Sequence, residues 1–282
     1  MNTYNIKKKN FEWQTSLNFS VNDNRLLQLG NGQDRFISEG ERTEKYIAKV
    51  GGPSIQYFGY KTDGIWLSQE EINNSGFIFA EGKTVVPGTL KIVDLDGNKI
   101  INADDRQELG NPFPAFSWGM SNSFKIQNFD VSIQFQGVQG VTVLDGDIYY
   151  QETKKINNAY TANRYISAEY PGDGVTPTFA NGNGMQWEYT DYALQDASYA
   201  AIRDLSIGYK FDKKLMKKLS ISSFRIYASA QNLLYIWSSD YKGINPEARS
   251  TSSPYDSPLI SGYQRGAFPL QKGFTFGCEL GF

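Results

Sequence analysis

From Asn10 the chain reads N-F-E-W-Q-T-S-L-N-F-S-V, which sets Phe11, Trp13, Leu17, Phe19 and Val21 on one parity and Asn10, Glu12, Gln14, Ser16, Asn18 and Ser20 on the other. A period of two sends successive side chains to opposite faces of a strand, so one face is apolar and the other polar. The pattern recurs. Phe129, Val131, Ile133 and Phe135 oppose Asp130, Ser132, Gln134 and Gln136. Leu205, Ile207, Tyr209 and Phe211 oppose Asp204, Ser206, Gly208 and Lys210, and Phe224, Ile226, Ala228 and Ala230 oppose Arg225, Tyr227, Ser229 and Gln231. Near the end Phe268, Leu270, Phe274, Phe276, Cys278, Leu280 and Phe282 share a parity that only Lys272 interrupts. Segments of about ten residues match a tilted strand crossing a bilayer, whereas ordinary strands average about five or six.

Composition removes several alternatives. The 282 residues contain no histidine and a single cysteine, which leaves no disulfide framework, no zinc site of the usual ligand types and no Ser-His or Cys-His dyad. Lys+Arg 28 against Asp+Glu 30 provides no cationic footprint for a phosphate backbone, so nucleic acid is not an expected partner. No stretch approaches the roughly 20 apolar residues of a membrane-spanning helix, and Met1 to Asn10 has no apolar signal-peptide core behind it. The mean hydropathy of −0.48 does not argue against a membrane, because alternating strands average out polar.

Connections come in two kinds. Asn22-Asp23-Asn24, Gln127-Asn128 and Asp212 to Leu219 are short, whereas Ser38 to Ser117, Leu144 to Ala197 and Ser238 to Ala267 are long. Short turns at one end and long loops at the other are how outer-membrane barrels are built. A soluble β-sandwich also alternates, but predicts mostly short connections. Strands starting near Lys9, Ser117, Ala197 and Phe268 are expected to descend toward the short-turn end, and those starting near Arg25, Phe129 and Ser220 to ascend. Lys45 to Val50 and Ile55 to Trp66 look like a further pair. Trp13, Trp118, Tyr199, Tyr209, Phe211 and Phe282 fall near strand ends, where amphipathic rings sit at headgroup depth.

Two loop features suggest chemistry, and three others do not. Asp94, Asp96, Asn98 and Asp105 stand at positions one, three, five and twelve of a calcium-binding loop, with the Ile100 carbonyl at seven; Lys99 replaces the turn glycine and Asp105 the bidentate glutamate. A solvated turn is the alternative. Tyr149, Tyr150, Tyr160, Tyr165, Tyr170, Trp187, Tyr189 and Tyr192 crowd the Leu144 to Ala197 loop among amide side chains, a combination that suits stacking on sugar rings or gripping a peptide. The alternative is that the loop packs on itself or on a lid. Glu81-Gly82-Lys83-Thr84 has the wrong glycine spacing for a phosphate loop. Neither Glu70-Glu71 nor Asp104-Asp105 forms a recognisable acid and base across a cleft, so no enzyme activity is expected. The lysines between Asp212 and Leu219 read as a solvated turn.

The last eight residues, T-F-G-C-E-L-G-F, resemble the C-terminal signal read by the barrel-assembly machinery, carried by Thr275, Gly277, Leu280 and Phe282. Further segments resemble the C-terminal part of SusC/RagA-like TonB-linked transporters of Bacteroidetes. They are Tyr57-Phe58-Gly59-Tyr60-Lys61-Thr62-Asp63-Gly64-Ile65-Trp66, Pro87-Gly88-Thr89-Leu90-Lys91 leading into Asp94-Leu95-Asp96-Gly97-Asn98, Gly110-Asn111-Pro112-Phe113-Pro114, the Ala197 to Tyr209 strand, Gln231-Asn232-Leu233 and Asn245-Pro246-Glu247. The resemblance spans about Trp13 to Phe282 and implies an all-β chain forming the C-terminal portion of an antiparallel transmembrane β-barrel of about 22 strands, with long extracellular loops and short periplasmic turns.

It further implies that residues 1–282 are one barrel segment lacking the plug, the TonB-contacting segment and the signal peptide. The implied setting is the outer membrane of a Gram-negative cell. The implied function is import of oligosaccharides or peptides with a SusD-like lipoprotein lid, energised through TonB. Two other readings stay open: a self-contained small barrel acting as a surface binding protein or adhesin, and a soluble all-β binding module.

Overall fold

In the computed structural model, all residues are described except 42–43, 80–84, 149–162, 179–189 and 219–220. The chain opens with a hairpin, β1 (Asn2–Lys8) and β2 (Phe11–Ser20). Residues 21–115 then form a long excursion. It carries β3 (Arg35–Glu39), β4 (Lys45–Lys49), β5 (Gln56–Tyr60), β6 (Thr62–Ile65), helix α1 (Gln69–Ser75), β7 (Ile78–Phe79), β8 (Leu90–Ile92), β9 (Ile100–Ile101) and β10 (Arg106–Glu108). A second hairpin, β11 (Phe116–Ile126) and β12 (Phe129–Gln139), leads into another excursion with β13 (Thr142–Asp145) and β14 (Leu194–Asp196). Then come β15 (Tyr199–Lys210), helix α2 (Lys213–Lys218) and β16 (Ser223–Trp237). The third excursion holds β17 (Tyr263–Gln264) before β18 (Gly273–Gly281).

The long strands form one antiparallel sheet in the order β1-β2-β11-β12-β15-β16-β18, each pairing with the next long strand in the sequence. Register aligns the alternating patterns into rows. Through the middle of the polar face run Gln14, Ser123, Ser132, Ser206, Ser229 and Thr275, each opposite the next. On the other face Phe124, Val131, Ile207, Ala228 and Phe276 form a matching apolar row that begins at Trp13. Asn122 and Thr15, paired on this face, satisfy each other there: Asn122 accepts from Trp13 Nε1 at 3.0 Å and from the Thr15 hydroxyl at 2.7 Å. Toward the short-turn end of the polar face, Arg225 pairs with Asp130 at 2.6 Å and Glu279 at 2.8 Å. Gly208 is needed beneath it, since a Cβ there would lie 2.4 Å from the guanidinium reaching across β15.

The apolar face is open. Ile207 is 46% exposed, Phe274 64% and Phe276 81%, so no other described part of the chain covers them. A soluble sandwich buries that face, so this sheet does not behave as half of one. Aromatic contacts mark both margins of the face. Trp13 stacks on Phe124, and Phe129, Tyr209, Phe211 and Phe224 form a chain of ring contacts near the short turns. Phe19 meets Phe116 near the long connections. The six-residue rise from Trp13 to Phe19 is roughly 20 Å at strand spacing, close to the height of an apolar membrane band.

The number of long strands expected agrees with the structure, but one strand and one direction do not. Asn22-Asp23-Asn24 is no turn, and no wall strand starts at Arg25: the seventh strand is β1, joined to β2 through Lys9-Asn10. β2 therefore runs toward the long-connection end, antiparallel to β11. β1 has only two large apolar residues, Tyr4 and Ile6, and the bulge between them sets Tyr4 opposite Gln14 on the polar face and Ile6 opposite Trp13 on the apolar one. The strand expected from Phe268 starts at Gly273. The segments at Lys45 to Val50 and Ile55 to Trp66 do form strands, but in a separate sheet of order β10-β5-β4-β3. Tyr199, expected at a membrane margin, is buried on the polar face.

The buried core lies outside the wall. The three excursions pack into a cap around Tyr46, Tyr57, Ile65, Leu90, Ile92, Leu144, Ile148 and Tyr263. Each such side chain contributes about 1.5–3 kcal/mol by leaving water. Hydrogen bonds join the excursions: the Tyr57 hydroxyl donates to Thr142 O at 2.9 Å, and the Tyr255 hydroxyl to Glu44 at 2.8 Å. In the membrane-inserted protein, Ile207→Arg should cost about 2–4 kcal/mol, while Ser206→Arg on the opposite face should be far milder. Denaturant unfolding from lipid vesicles measures both, and a larger cost for Ser206→Arg than for Ile207→Arg would mean the faces are reversed.

Candidate functional site

The cap meets the polar face around Arg203 and at Val138, which packs on Val141, Val143 and Tyr241. Leu205, Ile207 and Tyr209 point to the apolar face, so strict alternation would send Arg203 there too. Instead the pairing jumps from Gln134↔Asp204 to Phe135↔Ile202, and on the other side from Asp204↔Gln231 to Ile202↔Leu234. The bulge turns Arg203 to the polar face and keeps Ile202 in the apolar row. Asn232, in the matching irregularity of β16, takes a left-handed backbone with φ of 52°. Every N–H of the guanidinium has an acceptor: Gln136 at 2.8 Å, Asn232 at 3.3 Å, the Tyr199 hydroxyl at 3.4 Å, the Tyr235 hydroxyl and the Glu247 carboxylate. One side chain thus ties three strands to the third excursion.

Glu247 is presented by the Asn245-Pro246-Glu247 turn. Asn245 Oδ1 accepts from Glu247 N at 3.0 Å, and Gln264 Nε2 donates to the carbonyls of Asn245 at 2.7 Å and Ala248 at 2.8 Å. The Tyr241 hydroxyl donates to Gln264 Oε1 at 2.7 Å, and burial pushes its pKa up to about 12, so the donor keeps its proton at any physiological pH. Arg249 donates to the carbonyls of Pro246 at 2.9 Å and Ala248 at 2.6 Å, and its desolvation lowers the guanidinium pKa. The cluster is an anchor of charge-assisted hydrogen bonds, with no nucleophile or acid–base pair in it. The Arg203 cluster escaped the sequence reading, although the phase slip between Ile202 and Leu205 was its visible signature.

Of the loop aromatics, Tyr149, Tyr150, Tyr160, Trp187 and Tyr189 lie outside the described residues. Tyr165 is buried and donates its hydroxyl to Leu67 O at 3.0 Å; Tyr192 packs partly buried against the cap core. Both are therefore placed as packing residues, whereas Tyr170 is exposed. In the 94–105 loop, one carboxylate oxygen from each of Asp94, Asp96 and Asp105 lies within 4.8 Å of the others. Asp94 accepts from Gly97 N and Lys99 N, both at 2.8 Å, and Asp105 from Leu95 N and Asn102 N, both at 2.8 Å. Burial works against the Asp94 charge, but the Lys99 and Gly97 N–H groups outweigh it and hold the carboxyl below its ordinary range. Lys99 adopts φ of 63°, so the sharp turn forms without glycine at that position. Asn98 spends its side chain on Ile100 N at 2.6 Å and on Asp96 at 2.7 Å. At the last strand Thr275 faces Ser229, Leu280 faces Phe224, and Phe282 is 94% exposed. Gly277 leaves room for the Tyr227 ring, which a Cβ would meet at 2.5 Å.

Arg203→Met should cost about 2–3 kcal/mol, as loss of charged hydrogen bonds does. Amide exchange should accelerate around Asn245 to Ala248 and stay unchanged at β11; uniform acceleration would mean that Arg203 supports the wall as a whole.

No family model matches the chain. Among characterised proteins it is similar to TonB-dependent receptor P3 of Formosa agariphila, 29% identical over 294 residues, covering 100% of this chain and 28% of the receptor. It is likewise similar to TonB-dependent receptor SusC of Bacteroides thetaiotaomicron, 23% identical over 288 residues and covering 100% of this chain and 26% of SusC. Among solved structures, the RagAB peptide transporter superposes with a TM-score of 0.72 at 18% identity, over 100% of this chain and 28% of that one. The RagAB peptide importer in its closed-closed state gives 0.72 at 19%. The chain thus spans just over a quarter of the length of the relatives it matches. Along its entire length it is similar to TonB-dependent receptors of the SusC/RagA kind, and its strands share the fold of the corresponding part of RagAB.

Proposed function

We propose that the chain supplies a segment of outer-membrane barrel wall, with its extracellular cap, to a TonB-dependent nutrient importer. The observation that carries this reading is the seven-stranded sheet with one open apolar face bounded by aromatic rings and one polar face. Water would make that face a liability; hydrocarbon makes it the contact surface. The outer edges of β1 and β18 have no strand beside them among the described residues. In lipid, each unsatisfied backbone group costs several kcal/mol, so further strands of the same wall complete the ladder. Similarity to TonB-dependent receptors over the whole chain supports energy coupling through TonB. The RagAB structures, which are of a peptide transporter, favour a cargo of peptides; the aromatic loop of residues 144–197 is equally suited to oligosaccharides. A SusD-like lipoprotein is the proposed lid over the cap, and Phe282 with Thr275, Gly277 and Leu280 the proposed assembly signal.

Outer membranes should contain the protein in a heat-modifiable folded form, and Phe282→Ala should reduce that form severalfold. Cells disrupted in its gene should lose growth on peptide or oligosaccharide as sole nutrient. Recovery of the protein in the soluble fraction, or unimpaired growth on both, would overturn the reading. The 94–105 loop belongs to the same proposal as a Ca²⁺ site, because its all-oxygen donor set suits a hard cation. Calorimetric titration should show saturable Ca²⁺ heat that Asp96→Asn diminishes; no heat at millimolar Ca²⁺ would leave the loop a self-sufficient turn.

A further inference from the structure

Strands β2, β11, β12, β16 and β18 each contain a single charged residue, and register brings all of these to the short-turn end of the polar face. Glu12 stands opposite Lys125, Lys125 opposite Asp130, and Arg225 opposite Glu279. Arg225 also spans the intervening strand β15, reaching over Gly208 to Asp130. The signs therefore run negative, positive, negative, positive, negative from β2 to β18, and Lys7 of β1, opposite Glu12, extends the alternation. Lys210 faces Arg225 in the backbone ladder but stands outside the row, because the guanidinium turns from it to the two acids.

Alternation of apolar and polar residues rejects a slip of one residue but tolerates a slip of two, which returns every side chain to its own face. The rest of the polar face is mainly Ser, Thr, Asn, Gln and Gly, which distinguish such registers poorly. Tight turns fix the register of β1 with β2, through Lys9-Asn10, and of β11 with β12, through Gln127-Asn128. The pairings of β2 with β11, β12 with β15 and β16 with β18 are joined only through long excursions. Closing a long loop costs nearly the same for a register two residues away.

Each of these three pairings is crossed by a pair of opposite charges: Glu12 with Lys125, Asp130 with Arg225 over β15, and Arg225 with Glu279. We propose that this row of alternating charges is the device by which the wall selects its native register over two-residue slips where no turn does so. A slip of β18 by two sets Arg225 opposite Gly277 or Gly281 and Glu279 opposite Ser223 or Tyr227, so the ion pair is lost in either direction. Elsewhere the row has allies. Thr15 with Asn122 marks the register of β2 with β11, and the Tyr227 ring over Gly277 that of β16 with β18.

The test uses the full-length protein in outer membranes, and in that respect it rests on the proposed membrane location. Cys278→Ser removes the exposed native thiol, and Asp130→Asn in every variant leaves Arg225 and Glu279 as an isolated pair. Gln231→Cys with Gly273→Cys reports the native register, since a Cβ at Gly273 lies 3.8 Å from that of Gln231, the separation found in disulfides. Ser229→Cys with Gly273→Cys, and Gln231→Cys with Thr275→Cys, report the two slips. Cross-linking by a mild oxidant is read as protection of both thiols from a maleimide mass tag.

With the pair intact, the native cross-link should form and neither slipped one. Glu279→Arg sets two cations face to face; it should lower the yield of native cross-linked protein severalfold and raise a slipped cross-link. Adding Arg225→Glu restores opposite charges and should return the native pattern. A native cross-link unchanged by Glu279→Arg, or a loss that the charge exchange does not recover, would overturn the device. Recovery of the protein with its native charges outside the membrane would instead overturn the proposed location, so the two failures are distinct.

Discussion

Register is the constraint on which the wall depends. Because side chains alternate with a period of two, a slip of one residue in any pairing would carry a whole strand's apolar set to the polar face. The ladder from β1 to β18 holds Phe124, Val131, Ile207, Ala228 and Phe276 in one row and Ser123, Ser132, Ser206, Ser229 and Thr275 in the other. The bulge at Arg203 shows the same rule at work. Both neighbouring pairings absorb the irregularity, so Ile202 and Leu234 return to the apolar face above it. The arginine and its acceptor Asn232 change side, and the arginine does so where a carboxylate from the cap meets it.

Wall and cap follow different physics. Within the wall, stability comes from the backbone ladder and from polar pairs such as Arg225 with Asp130 and Glu279, with little apolar surface buried inside the chain. Within the cap, Tyr46, Tyr57, Trp66 and Ile148 are almost wholly buried, as in a soluble domain. The three long excursions are far apart in sequence, yet they share that core and exchange hydrogen bonds such as Thr62 with Asp191 at 2.7 Å. The Arg203–Glu247 pair joins the two regimes, at the level where the polar face gives way to the cap.

Alternation made β12, β16 and the last residues of β18 legible directly from the sequence, because in those strands one face meets a single kind of environment along its length. It failed at β1, whose two large apolar residues, Tyr4 and Ile6, are set on opposite faces by the bulge between them, and at Asn22 to Asn24, where turn-forming residues open a long excursion. The cap was the least legible part. Its strands are short, and their burial is set by partners far away in the sequence, 98 residues for Tyr165 against Leu67 and 211 for Tyr255 against Glu44. No local pattern distinguishes a tyrosine that packs from one that grips a ligand, so Tyr165 looked available and is not. Asp94, Asp96 and Asp105 do converge as their spacing suggested, because the turn at Lys99 takes a left-handed backbone despite the missing glycine.

A cap with its own core separates two kinds of inheritance. Substitutions among its exposed residues change what the outer surface presents without disturbing the rows that face the wall's surroundings, and substitutions within those rows leave the cap's packing untouched. Positions near Arg203 and Glu247, and those where Val138 and Trp237 meet Tyr241, answer to both. Descendants of such a chain are free to diversify their surfaces quickly while the wall drifts slowly, with the narrow belt around that ion pair as the place where the two histories must agree.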